Sequence, residues 1–580
     1  MKKLILAGLT ALTLSLGLWV TGASLAQQMD AVPTLAPPTP IPTLDNGVSD
    51  ALLAESTLAR VQRSGEVRVG MLYNAPPFGE LNIRGEVIGY DADLARALAE
   101  AWDVTFVPVQ VTRQTAVSML QNGEVDVLAA ALVHRRELDS QVEFSQTYYI
   151  GAQAMLVRNE DTAQQPADLA GRRVGVVLGT SSELAVAEWQ RRSGLSAMVL
   201  TYYNLGQAVT ALAAGEVDAV VDSRVHLQSQ SASIASGLVR LLETPITAEP
   251  YALAVRRQDV NWLNLINWTL QYLETQGKLK EIYQTYFPGG SYPSVIIPWN
   301  GVGEDAPTLS QFQADVPYPA QYVIPRMRQA GVLRVAGLVD LPPDAPESER
   351  RLDALNRALI QVMASRWGVQ VQAVPGDDPV GLVASGQADI AASVVLDWAF
   401  SDRVDLTAPY LLHGERLMVK ENDDYETFND IRGKWVGVFA SEPGAADRVN
   451  ALAASVNTAV RIFTINREQD AAFNILVDNN ADMAFGDSLK LIPNLEANPG
   501  LLRITTRAGN ADPWYSRTYV AFAVPRNDID FRLLVDYTLQ ELAREGAWQN
   551  LLTPVMLPQD VFSFDIWPGA SEYLGFILAG

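Results

Sequence analysis

The feature that most constrains the fold is a repeat, because the two halves of the chain carry similar segments in the same order. GEVDAVVDS at 215–223 returns as NADMAFGDS at 480–488, and TLQYLETQGKLKEIY at 269–283 returns as TLQELAREGAWQNLL at 538–552. Similarity in a fixed order is hard to obtain by chance. Since 580 residues also exceed what one hydrophobic core usually organises, the sequence predicts two related domains of two lobes each.

Within each half, short β-branched runs alternate with stretches of helical period. In the first half the runs include EVRVGML, VTFVPVQV and RRVGVVLG, separated by segments rich in Ala, Leu and Glu. This alternation is typical of α/β folds with largely parallel sheets. We expect a first domain over 57–290 and a second, more divergent domain over 322–555, joined by a Pro-, Gly- and Ser-rich linker over 291–321. The C-terminal tail, 556–580, carries no functional signal.

The N-terminus has the pattern of an export signal. Two lysines precede a long apolar run, and small residues at Ser24 and Ala26 surround a plausible cleavage point. We predict a signal peptide over 1–26, followed by a stiff Pro/Thr-rich spacer over 27–56. The globular part is then expected outside the cytoplasm, secreted, periplasmic or at the cell surface. An uncleaved signal segment would act as a membrane anchor, which is the only membrane contact predicted.

Composition and charge limit the partners. The content of 48% hydrophobic and 19% charged residues is that of a globular protein. A net charge of -23 without clustered Lys or Arg argues against nucleic acid. The absence of cysteine excludes disulfides, thiolate metal sites and cysteine nucleophiles. We expect no cofactor and no metal.

In sequence, each half resembles an extracytoplasmic solute-binding protein of family 3, the polar amino-acid type. The matching stretches are GEVRVGMLYNAPPFGE, GYDADLARALAE, GEVDVLAAAL with VEFSQTYY, DLAGRRVGVVLGTSSE and GEVDAVVDS, in that order. The resemblance implies the type II periplasmic-binding-protein fold, with two α/β lobes per domain. It also implies crossover strands near 148–157 and 251–255, and a ligand trapped in the cleft when the lobes close.

The loop of Gly179, Thr180 and Ser181 is predicted to bind a carboxylate or another anionic group of the ligand. It follows a buried strand and opens a helix, whose first backbone N–H groups are unpaired and carry partial positive charge. The alternative is that a serine hydroxyl only caps its own helix. The two roles can coexist.

The resemblance further implies an arginine for a ligand carboxylate and an acid for its ammonium, but both positions are altered in the first half. The arginine position falls on Leu138 and a nearby threonine position on Arg135, while Arg136 could serve as the clamp if the loop shifts its register. The acid position falls on Ser223. Asp222 lies one residue earlier, on the other face of the strand.

Four further residues complete the candidate site of the first domain. Tyr73 and Phe78 are expected to form an aromatic wall, Arg113 occupies a position that is commonly aromatic in the family, and Ala131 lies in the loop before the arginines. Several arginines without a certain acid favour a ligand more anionic than a neutral amino acid, such as a dicarboxylate or an acidic amino acid. Each arginine could instead be a solvated surface residue.

The second half reverses this pattern. Asp487 holds the acid position and Ser441 lies in the helix-opening loop, but Phe400 replaces the arginine. Glu442 follows Ser441, and an acid there would oppose a ligand carboxylate. We expect the second cleft to bind a different ligand or none, in which case the domain serves as a packing partner.

No enzymatic motif is present. His134, His226 and His413 lie far apart and lack metal-site spacing, and no nucleophile elbow, phosphate-binding loop or dinucleotide fingerprint occurs. The sequence therefore predicts a binding protein and not an enzyme. Its ligand is expected to be a small polar or anionic molecule, an amino acid or related carboxylate, and the resemblance implies ABC transporter membrane subunits as partners. The alternatives are an extracytoplasmic sensor or scaffold with degenerate binding domains and, less favoured, a small-molecule lyase.

Overall fold

The computed structural model describes residues 56–561 apart from 236, 289 and 508–511. The predicted signal peptide, all but the last residue of the predicted spacer, and the tail from residue 562 onward lie outside the described residues. Over the residues described, we find no helix with the length and apolarity that crossing a bilayer requires.

The first half forms two five-stranded α/β sheets, one in each lobe. Its helices and strands are α1 (Thr57–Ser64), β1 (Glu66–Met71), β2 (Asn74–Ala75), β3 (Gly79–Leu81), β4 (Val87–Ile88), α2 (Tyr90–Ala101), β5 (Thr105–Gln110), α3 (Ala116–Gln121), β6 (Val127–Leu128), β7 (Val142–Gly151), β8 (Gln153–Arg158), β9 (Arg173–Val177), α4 (Ser181–Ser193), β10 (Met198–Tyr202), α5 (Leu205–Ala213), β11 (Ala219–Ser223), α6 (Arg224–Ile234), β12 (Val239–Leu241), β13 (Glu249–Arg256), α7 (Val260–Thr275) and α8 (Lys278–Tyr286). The strand orders are β5-β1-β6-β13-β7 in the first lobe and β10-β9-β11-β8-β12 in the second.

The second half repeats this arrangement. Its elements are α9 (Val323–Ala330), β14 (Val332–Ala336), α10 (Glu347–Trp367), β15 (Gln370–Ala373), α11 (Pro379–Ala384), β16 (Ile390–Val395), β17 (Val404–Leu406), β18 (Leu411–His413), β19 (Glu415–Lys420), β20 (Trp435–Phe439), α12 (Ala445–Ser455), β21 (Arg461–Ile465), α13 (Ala471–Leu476), β22 (Met483–Asp487), α14 (Ser488–Ala497), β23 (Leu502–Ile504), β24 (Thr518–Pro525), α15 (Ile529–Arg544), α16 (Ala547–Leu552) and α17 (Pro558–Val561). Strand orders β15-β14-β16-β24-β17, with β18 beside β24, and β21-β20-β22-β19-β23 match those of the first half.

The repeated sequence segments form equivalent local structures. At the start of the first half, Arg60 and Arg68 both bind the buried carboxylate of Asp126. At the start of the second half, Arg326 and Arg334 bind Asp389 in the same way. A carboxylate this deeply buried needs charged partners, which explains why both arginines recur with it.

Two crossings connect the lobes of the first half. The chain leaves the first lobe where β7 ends at Gly151 and enters the second at Gln153, within the range expected from the sequence. It returns between Thr247 and Glu249, just before the predicted 251–255, because those residues already pair with β7 inside the first-lobe sheet. A side-chain carbon at Gly151 would overlap the Tyr251 ring, so glycine allows the two crossing strands to approach closely here.

The two halves pack against each other through matched contacts of their first lobes. Arg257, which follows β13, donates to Asp530 Oδ1 at 2.5 Å. The equivalent Arg526, which follows β24, donates to Asn261 Oδ1. Because equivalent residues of the two halves exchange contacts, the interface has the character of a twofold dimer interface within one chain.

The segment between the halves is ordered along this interface without forming helix or strand in its described residues. Trp299 donates its backbone N–H to Gln271 Oε1 at 2.9 Å, and its ring lies 4.4 Å from that of Trp398 in the second half. The linker therefore ties the first lobes of both halves together.

Candidate functional site

The cleft of the first half is centred on the two crossings between its lobes. Glu249, the first residue of β13, accepts a hydrogen bond from Gln153 Nε2 at 3.1 Å. Gln153 is the first residue of β8, and its backbone N–H donates to Thr247 Oγ1 at 2.7 Å. Burial raises the pKa of Glu249, while hydrogen bonds from Gln153 and Thr247 oppose this effect. The hinge thus carries a carboxylate whose charge is held by uncharged donors.

The helix-opening loop of the second lobe adjoins this hinge. Ser182 Oγ donates to Gln153 Oε1 at 2.9 Å, and Ser181 Oγ lies 3.5 Å from Gln153 Nε2. Ser181 is exposed, whereas Ser182 is buried. The hydroxyl next to Gln153 is therefore accessible from the cleft.

Gly179 and Thr180, the other two residues of the predicted loop, make hydrogen bonds to neighbouring residues of the same segment. Gly179 adopts a φ of 73°, and its N–H donates to Glu183 Oε2 at 2.9 Å. Thr180 is the N-cap residue of α4, but its hydroxyl donates to Val177 O at 2.7 Å and makes no cap hydrogen bond. None of these hydroxyls satisfies the first N–H groups of α4 as a cap would, so this helix start retains donors for a ligand.

Asp222 lies close to the same hinge. Its Oδ1 accepts from the Ser223 N–H at 2.7 Å and lies 3.1 Å from His226 Nδ1. The negative charge of Asp222 contributes to the raised pKa of Glu249, after burial. Asp222 therefore has local partners, whereas Glu249 has no ion-pair partner among the residues that the structure describes.

Among the described residues, two of the predicted arginines have guanidinium groups that bind no other side chain or backbone group. Arg113 and Arg135 are exposed, and within the described residues neither side chain makes a hydrogen bond or an ion pair. Arg135 is nevertheless close enough for its charge to lower the pKa of Glu249. Burial and the charge of Glu249 raise the pKa of Tyr251, while Arg113 opposes them. Both cations therefore act on residues within the first three positions of β13, Arg135 on Glu249 and Arg113 on Tyr251.

The structure places Arg136 elsewhere. Its guanidinium lies 4.1 Å from the centre of the Tyr537 ring and donates to Gln540 Oε1 at 3.0 Å and to Glu541 Oε1 at 3.1 Å, all on α15 of the second half. The expectation that Arg136 serves as a ligand clamp is corrected by these contacts. It binds the partner domain because it lies in the one-turn helix that faces the interface between the halves.

A matched contact in the second half confirms that this position belongs to the interface. Trp398 stacks on Trp268 of α7 with 4.8 Å between ring centres and donates from Nε1 to Gln271 Oε1 at 2.9 Å. Trp398 is the register equivalent of Arg136, and each of the two residues contacts the opposite half of the chain.

The predicted aromatic wall is only partly available. Phe78 is buried in an aromatic cluster of the first lobe, where it stacks on Tyr251 with 5.1 Å between ring centres and packs edge-on against Tyr149. Phe78 therefore packs behind the cleft surface, in the core of the first lobe. Tyr73 is half-buried at the end of β1, and burial raises its pKa. Tyr73 therefore remains the aromatic candidate that a ligand can contact.

Ala131 belongs to a loop that a buried carboxyl group holds in place. Its φ of 46° is unusual for a residue with a side chain, and its N–H donates to Asp91 Oδ2 at 2.6 Å. Tyr148 donates its hydroxyl to Asp91 Oδ1 at 2.7 Å. Burial raises the pKa of Asp91 to about 7, although both hydrogen bonds act against this rise.

The second cleft satisfies its predicted polar residues internally. Asp487 lies 2.6 Å from His413 Nδ1 and accepts the N–H of Leu489 at 2.9 Å. Burial acts to raise the pKa of Asp487, but His413, the N–H of Leu489 and the charge of Lys490 together lower the pKa below its ordinary value. Ser441 accepts a hydrogen bond from Lys490 Nζ at 2.9 Å.

Lys490 is the cation that contacts the helix-opening loop of the second half. Its Nζ also lies 3.1 Å from Glu442 Oε1 and 3.8 Å from Glu468 Oε1. The expected clash between Glu442 and a ligand carboxylate is thus replaced by an ion pair with the chain's own cation. Phe400, at the missing arginine position, packs against the first-lobe core of this half.

Direct contacts also hold the lobes of the second half together. Ser348 of α10 donates to Glu468 Oε2 at 2.7 Å, and Arg351 of the same helix donates to Glu496 Oε2 at 2.7 Å. For the equivalent helix α2 in the first half, no hydrogen bond or ion pair to the second lobe occurs within the described residues. Within the described residues, the first half therefore lacks the contacts that join this helix to the second lobe in the second half.

No group of three or more His, Asp or Glu side chains in the described residues is arranged to hold a metal ion. The predicted histidines lie apart: His134 contacts Asp139 at 2.8 Å, His226 contacts Asp222, and His413 contacts Asp487. Among the described residues, each imidazole lies within hydrogen-bond distance of one carboxylate.

Sequence reasoning missed Glu249 and Gln153. The signal for Glu249 is a charged residue at the start of an otherwise apolar strand, EPYALAV. Placing the second crossing at 251–255 excluded it from the hinge. Gln153 carried no signal of its own, because its role comes from bonds to residues that lie up to 96 positions away.

The two lobes, the hinge and the strand orders define a protein of the type II periplasmic-binding-protein class, as the sequence predicted. Residues 67–289 match the model of the bacterial extracellular solute-binding proteins, family 3. Through this segment the first half of the chain is similar to that family.

Individual relatives align with a similar share of the chain. The ABC transporter glutamine-binding protein GlnH of Bacillus subtilis is 28% identical over 246 residues, 42% of this chain and 88% of the relative. The L-arginine-binding protein of Pseudomonas aeruginosa is 26% identical over 39% of this chain and 90% of its own length. Among solved structures, the ancestral cationic amino acid solute-binding protein AncCDT-1 is 30% identical over 40% of this chain and its entire length, with a TM-score of 0.35.

Proposed function

We propose that this protein is an extracytoplasmic solute-binding protein that captures a small polar or anionic ligand, an amino acid or related carboxylate, by closing the cleft of its first half. The observation that carries the proposal is a set of charged groups at the first hinge that have no ion-pair partner among the described residues, together with the uncapped start of α4. Arg113, Arg135 and the start of α4 offer donors to a carboxylate, and Glu249 offers an acceptor. Such groups lose hydration when the lobes close, and a charged ligand compensates for this loss.

The comparisons support the ligand class. The relatives named above are binding proteins for glutamine and arginine. We propose delivery to ABC transporter membrane subunits as the use of the bound ligand, following the description of GlnH as part of such a transporter. The predicted export signal is consistent with a family of extracellular proteins.

For the second half, we propose a duplicated domain that has lost ligand binding and acts as a rigid support. Lys490 occupies the space beside Ser441 and Glu442, and Asp487 is paired with His413. A ligand would have to break these contacts and those between α10 and the second lobe before it could enter. The domains proposed are those predicted, 57–290 and 322–555.

Isothermal titration calorimetry of the purified mature chain tests this function. We would titrate L-glutamine, L-glutamate, L-arginine, C4 and C5 dicarboxylates and, as an uncharged control, a neutral sugar. We expect one of the charged or zwitterionic ligands to bind with a stoichiometry of about one per chain, and to raise the melting temperature further as its concentration exceeds its Kd.

Asp487→Ala should leave that affinity unchanged, since the second cleft does not contribute. A stoichiometry of two would overturn the proposed role of the second half. No binding of any amino acid or carboxylate would overturn the proposed function and favour a scaffold.

A further inference from the structure

We infer that Glu249 is the residue that selects for an α-amino group, so that the ligand of the first cleft is an amino acid and not a carboxylate without an amine. This inference rests on the proposed function and narrows its ligand class. Neither the sequence pattern nor the comparisons point to this position.

The surroundings of Glu249 show why a cation is required there. Its hydrogen-bonding partners are the side chains of Gln153 and Thr247, both uncharged. Within the part of the chain that the structure describes, no lysine, arginine or histidine lies within ion-pair distance of it. A carboxylate at a partly closed hinge that has only neutral donors loses solvation without gaining a countercharge. An ammonium group of the ligand would supply that charge.

The same hinge places donors for the ligand's carboxylate close to this acid. Gln153 Nε2 contacts both Glu249 Oε1 at 3.1 Å and Ser181 Oγ at 3.5 Å, so the start of α4 and the acid lie on either side of one amide group. Arg135 is close enough to influence Glu249 but forms no ion pair with it. A zwitterion can therefore bind between them, with its carboxylate towards Arg135 and α4 and its ammonium towards Glu249.

The second half shows that this acid is particular to the first cleft. In the sheet of the first half, Glu249 pairs with Gly151. The residue equivalent to Gly151 in the second half is His413, which pairs with Thr518. Thr518 therefore stands at the position of Glu249. The second half instead has its acid, Asp487, opposite Glu415 on the neighbouring strand. In the first half the residue at that register position, opposite Gln153, is Ser223. The second half thus has acids on β19 and β22, where Glu415 contacts Arg448 and Asp487 contacts His413. In the described part of the first half, Glu249 on β13 has no such basic partner.

The test compares ligands that differ only in the α-amino group. We would measure Kd by titration calorimetry for L-glutamine, L-glutamate and L-arginine, and for the counterpart of each without the α-amino group, with the full mature chain and with Glu249→Gln. Gln at this position keeps an acceptor for Gln153 and removes the charge. Glu243→Gln, at an exposed acid six positions earlier, serves as the matched control.

We expect the unmodified protein to bind at least one amino acid more tightly than its counterpart. Glu249→Gln should raise the Kd of that amino acid by roughly tenfold or more. The same variant should change the Kd of the counterpart by less than about threefold. Glu243→Gln should change neither Kd. Equal loss for both members of the pair would mean that Glu249 only supports the fold, and no loss would mean that it does not touch the ligand. Either result overturns the inference but leaves the proposed function in place. If the unmodified protein binds only the counterparts, the inference also fails, and if it binds no member of any pair, the function fails with it.

Discussion

The clefts of the two halves lie between sheets of the same strand order but use their polar residues in opposite ways. In the first half, Arg113, Arg135 and Glu249 have no ion-pair partner among the described residues. In the second half, Asp487 is bound to His413, and Lys490 is bound to Ser441 and Glu442. The comparison teaches that a binding cleft is recognised by charges left without partners, since a cleft that satisfies its own charges has little to gain from a ligand.

The two halves also differ in how many hydrogen bonds join their lobes. Hydrogen bonds from α10 to Glu468 and Glu496 close the second half, whereas α2 makes no such bond in the described part of the first half. Meanwhile both first lobes are joined by the interface around Arg257 and Arg526. The second lobe of the first half is therefore the part of the molecule expected to move.

The largest effect is expected where the second cleft is opened by mutation. Lys490→Ala leaves Glu442 and Glu468 without their cation in a site where all three side chains are largely buried. We expect a loss of about 3 kcal/mol in the free energy of unfolding, measured by urea denaturation. Lys278→Ala, which removes an exposed pair with Glu281, should cost under about 0.5 kcal/mol. Equal effects of the two variants would contradict the view that Lys490 neutralises buried acids of the second cleft.

The next effect concerns the first cleft alone. Arg135→Ala should weaken ligand binding by about 2 kcal/mol, roughly thirtyfold, because it removes a charged donor from the proposed carboxylate site. Its register equivalent in the second half, Asp397, is the control, and Asp397→Ala should leave the Kd unchanged. Calorimetric titration with the ligand of the first cleft measures both. If the two variants bind equally well, Arg135 is a surface residue.

The two halves are also expected to differ in how pH changes the stability that equivalent buried contacts provide. The folded-state pKa of Asp91, about 7, lies above its ordinary value of 3.8. The folded protein therefore holds this proton more tightly than the unfolded chain. The resulting stabilisation is complete below pH 4 and is lost as the pH rises through 7. Asp91→Asn should remove about 2 to 3 kcal/mol of the stability difference between pH 5 and pH 8, measured by denaturation at both pH values.

The second half already has the neutral version of this contact. Asn356 accepts the Tyr410 hydroxyl at 2.5 Å and donates to Ser393 Oγ at 2.6 Å. Asn356→Asp should therefore increase the loss of stability between pH 5 and pH 8. Burial also raises the pKa of Asp528 to about 7 and that of Asp536 to about 6, but these contributions are common to all variants and cancel in the difference. Parallel pH profiles for all three proteins would show that neither contact titrates.

The smallest effect on binding is expected from Arg136→Ala. This variant loses the contacts with Tyr537, Gln540 and Glu541 at the interface between the halves, so its melting temperature should fall. Its Kd for the ligand should stay within twofold of the original, since the guanidinium does not face the cleft. A Kd raised tenfold together with an unchanged melting temperature would return Arg136 to the ligand site.

Much of the architecture could be predicted from the sequence, because it depends on local and repeated patterns. The alternation of β-branched and helical segments indicated α/β lobes, and the recurrence of RSGEVRVGM as QAGVLRVAG corresponds to the matched pairs of Arg68 with Asp126 and Arg334 with Asp389. The loop at 179–181 also opens a helix beside the hinge, as its pattern indicated. The assignment of ligand contacts to that loop and to Arg113, Arg135 and Asp222 stays a prediction.

The sequence by itself determined that this chain repeats one two-lobed design, since periodicity and the order of segments are properties of the linear chain. Only the tertiary structure decided which charges have partners. Arg135 and Arg136 are neighbours with the same side chain, yet one lies near Glu249 and the other is bound to α15 of the second half. The physical reason is that a charge is neutralised by whatever folding brings within a few ångströms, and for Arg136 that partner lies 405 residues away.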